Sequence, residues 1–517
     1  MKRILTFEHM CFGVLCLVSV FGYSKGMTDP YIVPKWCFTC LVLLFGIIIL
    51  LVKCSFGKAL YWDVLVCSYI IGGICVFQSL YGIAQWFQII LLQHNCKVVG
   101  SFDNSAGFAA CLCSGFPFVL LCIKAMKGQK QRIVMGLLNF IFVLSLLVSA
   151  SRSGLIAITV IISIVLYKYI HIRKKRKIGL FICTLFLFLV GSYFLKKDSA
   201  DGRLLIWKCS WEMIKEAPLG GHGVDSFRKY YMDYQSTYFE RNPNSKFAIL
   251  ADNVQSPFNE YLSIVLNFGF LGLLALLVIL GLLFYCYYKK PKLEKKIAML
   301  SILSISVFSI FSYPFTYPFV WVIIFFCIYI IIKDIFRFRM AAFYRNILRG
   351  IVLIVCFLFL HSLCRRIKAE YQWCEASRLY NISDFEKLLP ILGKDPYFLY
   401  NYAVMLYSTN HQEESLEVAL LCSKQWTDYD LELLLGDIYV YKKEYALAEF
   451  YYKKAAYMCP CRFIPLYKLF CLYKKLDSKD KAYFIARIIN AKSVKVPSVA
   501  VEHIKYEIKQ YIQPLDK

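Results

Sequence analysis

Polar sequence is scarce in the first 365 residues of this 517-residue chain, and acidic residues are outnumbered by basic ones. Asp and Glu number 34 against 60 Lys and Arg, a formal net charge of +26. Such an excess would suit a nucleic-acid partner if it covered one soluble face. It does not. The basic residues sit in short clusters between apolar runs, which is how membrane topology is written, so nucleic acid is excluded as a partner. The chain also lacks the spacing of a metal centre. Despite 22 cysteines, no C-x-x-C pairs with another or with His at zinc spacing, so no metal and no cofactor is expected. The first apolar run follows Lys2-Arg3, ends near Tyr23 and continues as Ser24-Lys25-Gly26. No A-x-A-like cleavage site follows it, so it reads as a membrane helix and not a signal peptide. Charges deep within several helices and paired half-repeats are missing too, which argues against a transporter.

What is present is apolar: 59% hydrophobic residues, 17% aromatics and a mean hydropathy of +0.55. Ten further runs follow the first, at about 36–52, 62–90, 104–123, 133–150, 154–170, 178–195, 260–288, 297–312, 315–333 and 347–364, most near the ~20 residues a bilayer requires. Basic clusters at Lys124–Arg132, Arg173–Lys177, Lys289–Lys296 and Lys333–Arg349 fall on one side if eleven helices start from a cytoplasmic N-terminus. The HIRKKRK stretch, His171–Lys177, reads as a stop-transfer cluster drawn to anionic lipid.

After residue 364 the composition changes to charged and apolar positions at helical spacing. Segments 397–428, 429–460 and 461–492 align on a period near 32. The middle one carries Leu435-Gly436-Asp437-Ile438-Tyr439, then Tyr445, Ala448, Phe450, Ala455 and Pro460, and resembles a tetratricopeptide repeat. The expected architecture is all-α: a polytopic membrane helix bundle of about eleven spans over residues 1–364, then an α-solenoid of tetratricopeptide-like repeats over 365–517. The solenoid is either a groove for a protein partner or a structural cap. Cys374, Cys422, Cys459, Cys461 and Cys471 lie in this second region, where disulfides could form.

One long polar interval, 196–259, interrupts the apolar part, and polar loops of this length are usually functional or disordered. It opens with Arg203 and Trp207, passes through Gly220-Gly221-His222-Gly223, and ends in Asn259-Glu260-Tyr261-Leu262. Two further polar clusters stand at helix ends, Gly100-Ser101-Phe102-Asp103-Asn104 and Ser151-Arg152-Ser153-Gly154. An arginine at membrane depth defaults to function. Guanidinium groups give forked, charge-assisted bonds to phosphate oxygens, so Arg152 and Arg203 suit a diphosphate.

The stretches GSFDNSAGFA, SASRSGLIAI, GRLLIW, APLGGHGVDSF and FNEYLSIVLNFGFLG, in that order between about Gly100 and Gly272, resemble the O-antigen ligase and O-antigen polymerase family of bacterial membrane glycosyltransferases. The resemblance implies a multi-pass protein of the bacterial inner membrane with its C-terminal domain in the periplasm. It implies metal-independent transfer of a glycan from an undecaprenyl-diphosphate carrier to lipid A core, a growing glycan or a protein. Arg203 and Arg152 would hold the carrier diphosphate, with Asn104, Trp207, Asn259 and Tyr261 lining the substrate site among membrane lipids. In one respect the chain departs from the family. Its His-Asn-x-Tyr-Leu motif falls on Phe258–Leu262, so the histidine is Phe258 here. Three readings follow: Glu260 acts as the general base, His222 does so, or the chain binds carrier-linked glycan without transferring it and serves as a scaffold through its repeats.

Overall fold

In a computed structural model of the chain, residues 6–55, 62–90, 98–125, 128–167, 197–335 and 342–514 are described, with positions 179, 183, 191 and 193. Among them there are twenty α-helices and no strand. The expected run at 178–195, apart from four isolated positions, and the basic stretch His171–Lys177 lie outside the described residues. Five helices are long and apolar enough to cross a membrane: Ile32–Lys53, Val64–Trp86, Ser105–Cys122, Glu260–Lys289 and Phe343–Leu379. Phe7–Phe21, Gly136–Val148, Arg152–Leu166 and Pro318–Ile332 are shorter apolar helices. The protein is a helical membrane protein.

The chain divides into two compact units. The first comprises Met1–Phe194, Phe258–Tyr261 and Leu274–Cys374. It contains α1 (Phe7–Phe21), α2 (Ile32–Ser55), α3 (Val64–Trp86), α4 (Ser105–Ala125), α5 (Gln129–Val148) and α6 (Arg152–Leu166). It also contains α10 (Leu293–Ser309), α11 (Pro318–Ile332), and most of α9 (Glu260–Lys289) and α12 (Ala342–Leu379). Helix α4 is its axis, packed by α3, α6, α10 and α11. Small residues make the close approach feasible: Ala109, Ala110, Cys111, Cys113 and Ser114 are buried.

Proline within α4 creates a debt that α10 settles. Pro117 has no N–H, so the carbonyl of Cys113, four residues earlier, loses its helical partner. Ser304 Oγ donates to that carbonyl at 2.8 Å, and Ser301 Oγ to the carbonyl of Ser114 at 2.6 Å. In lipid no water could replace them.

The second unit comprises Leu195–Pro257, Leu262–Leu273 and Glu375–Lys517. The polar interval supplies α7 (Lys197–Glu216) and α8 (Ser226–Arg241). Eight helices complete it: α13 (Ile382–Leu392), α14 (Pro396–Ser408), α15 (Gln412–Ser423), α16 (Tyr429–Tyr441), α17 (Tyr445–Met458), α18 (Ile464–Lys475), α19 (Lys479–Ala491) and α20 (Val499–Ile512). Each of the three 32-residue segments holds one packed helix pair, α14 with α15, α16 with α17 and α18 with α19. Gly436 marks the close crossing of α16 and α17, where a Cβ would meet the Tyr452 ring at 2.4 Å. Cys374, Cys422, Cys459, Cys461 and Cys471 are free thiols.

Removal of the Ser304 hydroxyl leaves a buried carbonyl unpaired, so Ser304→Ala is expected to cost about 1–3 kcal/mol. In a Pro117→Ala background the helix supplies its own N–H and the same substitution should cost less, a coupling that a double-mutant cycle in detergent measures.

Candidate functional site

In the first unit the Gly100–Asn104 cluster is a turn held by side chains from α2 and α3 and by a backbone carbonyl of α1. Gln85 Oε1 accepts from Gly100 N at 2.8 Å and its Nε2 donates to Gly100 O at 3.0 Å. Gln78 Nε2 donates to Ser101 Oγ, which in turn donates to Val20 O. Lys35, 1% exposed, donates to Gly22 O at 2.9 Å and Ser101 O at 2.8 Å. A buried ammonium is tolerable only when its donors are spent in this way. Lys35 and the two glutamines were not among the residues singled out by sequence. A lysine directly before the apolar run at about 36–52 was the signal that could have found it.

Asn104 caps α4: its Oδ1 accepts from Ala106 N at 2.8 Å and Gly107 N at 3.0 Å. Its Nδ2 donates to Asp103 Oδ2 at 2.6 Å and Tyr313 OH at 3.2 Å. Tyr317 OH lies 3.2 Å from Asp103 Oδ1. Burial raises the Asp103 carboxyl above its ordinary range, with the Tyr317 bond opposing.

The turn from Tyr313 to Tyr317 joins this cluster to the Asn-Glu-Tyr-Leu motif. Phe315 N donates to Glu260 Oε1 at 3.0 Å, which fixes the carboxylate at the N-terminus of α9. Tyr261 OH donates to Ser306 O at 2.9 Å. Phe258 packs edge-on against Tyr313 with ring centroids 5.4 Å apart. Its φ is +52°, a left-handed conformation in which His is enriched and a bulky ring is strained. Asn259 is half-buried beside it. Asn104, Phe258, Glu260 and Tyr261 are therefore brought together around one turn.

Arg152 is the first residue of α6, half-buried, after the N-cap Ser151 whose hydroxyl accepts from Gly154 N. A cation here opposes the helix dipole. An anion at this helix N-terminus would be favoured by both the arginine and the dipole.

In the second unit Arg203 and Trp207 lie one turn apart on α7 and are half-buried. Trp207 Nε1 donates to Pro257 O at 3.2 Å. His222 is a strut: its ring nitrogen Nε2 donates to Met213 O at 2.7 Å and the ring packs on Tyr230.

The glycine turn pairs, backbone to backbone, with a break in α9. His222 N donates to Leu266 O at 2.8 Å, Gly223 N to Asn267 O at 3.0 Å, and Phe270 N to Pro218 O at 2.8 Å. Gly221 and Gly269 stand at the crossing with φ of +69° and +65°. A Cβ on Gly269 would lie 2.0 Å from Leu219 O, and one on Gly221 2.5 Å from Asn267 C. The two sequence stretches APLGGHGVDSF and NFGFLG are halves of one contact. Among the described residues, no group of three His, Cys, Asp or Glu is placed to hold a metal ion.

The fold defines a multi-pass helical membrane protein, with Arg152 at the start of α6 and Glu260 at the start of α9. Residues 137–277 match the family model described as O-antigen ligase, and this match supports a membrane glycan transferase of that type. No curated protein matches the chain.

Because ψ at Gly269 is −168°, a region open essentially to glycine alone, Gly269→Ala should destabilise by at least about 1–3 kcal/mol. Gly281 lies in the same helix with nothing within 4 Å of its would-be Cβ. Gly281→Ala should be neutral or stabilise by about 0.5–1 kcal/mol, so thermal unfolding of the two variants separates the crossing from helix propensity.

Proposed function

We propose that the chain transfers an oligo- or polysaccharide from an undecaprenyl-diphosphate carrier to a hydroxyl acceptor at the periplasmic face of the bacterial inner membrane. The observation that carries this reading is the family match, because residues 137–277 enclose Arg152, Arg203, His222 and the Phe258–Leu262 motif. Eleven spans with a cytoplasmic N-terminus, and tetratricopeptide-like repeats in the periplasm, are the topology this reading takes.

In the reaction, the bond between the sugar's anomeric carbon and the carrier phosphate oxygen breaks, and a bond to the acceptor oxygen forms. Arg152 and Arg203 hold the diphosphate and stabilise the charge that grows on it as it leaves. Glu260 takes the acceptor's hydroxyl proton. Its orientation is set by Phe315 N, which ties one oxygen. His222, whose Nε2 proton is committed to Met213 O, holds the loop. Asn104, Trp207, Asn259 and Tyr261 are assigned to substrate binding in this reading.

One observation favours a second reading, in which the chain binds carrier-linked glycan without transferring it. The histidine position is occupied by Phe258, packed on Tyr313 and unable to carry a proton.

Complementation of a deletion strain decides between them. Glu260→Gln and Arg203→Ala, expressed at wild-type levels, should each lower one surface-glycan or glycoprotein species, with a loss of about 10²–10⁴-fold for the base. Restoration of that species by both variants as fully as by wild type would establish the binding reading.

A further inference from the structure

Within the second unit, the stretch from Asp225 to Pro257 is seated against α16, α17 and the turns beside them. Three features make this a built contact and not a surface encounter. First, helix ends of the C-terminal array are completed by the polar segment. Gln235, 1% exposed, donates through Nε2 to the carbonyl of Met458 at 2.6 Å, one of the carbonyls that the end of α17 leaves unpaired. At the start of α16, Asp428 accepts from Asp430 N with one carboxylate oxygen. Its other oxygen accepts from Asn253 at 2.7 Å and Gln255 at 3.1 Å.

Second, charge is buried across the contact. Lys454 of α17 bridges Asp233 of α8 at 2.8 Å and Glu432 of α16 at 2.7 Å. Burial in this contact pushes the Glu432 carboxyl up to about 7, against the pull of Lys454. A carboxylate is placed in such surroundings only where the geometry supplies its partner. Third, the far end is pinned: Arg462 pairs with Asp252 at 2.8 Å while its guanidinium lies over the Tyr429 ring.

We infer that the C-terminal helical array is an intramolecular receptor for the polar segment 225–257, and that it acts on the reaction by holding that segment in place. A face of the array that an outside protein would otherwise use is already occupied by its own chain. The holding role stands on the contacts alone. The effect on reaction rate rests on the transfer reading above. Gln235, Asn253, Gln255 and Asp252 are positioning residues in this account and touch no substrate.

The test uses the full-length protein in detergent or vesicles. Asp252→Ala, Asn253→Ala and Gln255→Ala are combined, since all three side chains lie on the polar segment and outside the array's core. Hydrogen exchange of backbone amides 225–257 should quicken about 10-fold or more, the expected result of releasing a locally held segment. Amides of α18–α20 should be unchanged, and glycan transfer should fall. Reversing the pinned pair, with Asp252→Arg and Arg462→Asp together, should restore protection that either single reversal loses.

Unchanged exchange in the triple variant would overturn the receptor role. So would slow exchange in α18–α20 becoming fast, which would mean that the array itself had come apart. Quickened exchange with undiminished transfer would overturn the positioning role. If the wild-type protein shows no transfer, the transfer reading fails and the positioning role falls with it, whereas the exchange arm still decides whether the array holds the segment.

Discussion

The contact on which the second unit depends is the backbone-to-backbone crossing of Gly221 and Gly269. It fixes the end of α7, the start of α8 and the break in α9 at once, because its hydrogen bonds run between main-chain atoms of both stretches. Side chains could not take their place, since a Cβ on Gly269 would lie 2.0 Å from Leu219 O. Arg203, Trp207 and His222 all stand on segments that this crossing positions. Their geometry is therefore set by residues that carry no chemistry of their own.

The first unit follows a related rule. Its polar side chains are spent largely on the main chain of neighbouring segments: Lys35 on Gly22 and Ser101, Gln85 on Gly100, Ser304 on Cys113, Tyr261 on Ser306. In an apolar surrounding each such bond removes an otherwise costly unpaired group. The same exchange, run in reverse, gives Glu260 its orientation, with Phe315 N donating to the side chain. A carboxylate held by a backbone donor and a neighbouring Phe258 at positive φ mark the position where the resemblance to O-antigen ligases expects a histidine.

Much of this was legible in the sequence, for identifiable reasons. Apolar runs announce themselves by length, and the five longest helices fall on five of the expected runs. The 32-residue period coincides with helix pairs because each pair must hide one face on the next. The motif around Arg203 and Asn259 stood out as polar sequence between greasy runs. What was not legible was pairing at a distance. Gly221 and Gly269 are 48 positions apart, and a glycine does not name its partner. Asp428 meets Asn253 and Gln255 across 175 and 173 residues, and neutral amides leave no periodic trace. The bonds of Asn104 to the start of α4 and of Tyr261 to Ser306 O were equally out of reach, since only the folded chain reveals them.

The central claim is that Glu260 is the general base of the proposed transfer, in place of the histidine that the resemblance to O-antigen ligases expects at Phe258. The most direct measurement is the rate of glycan transfer by purified full-length protein in three forms: wild type, Glu260→Gln, and Glu260→Gln combined with Phe258→His. The account predicts that the single variant loses transfer and that the added histidine, tolerated at positive φ, recovers part of it. Transfer by Glu260→Gln at the wild-type rate would contradict the account and move the proton to another group.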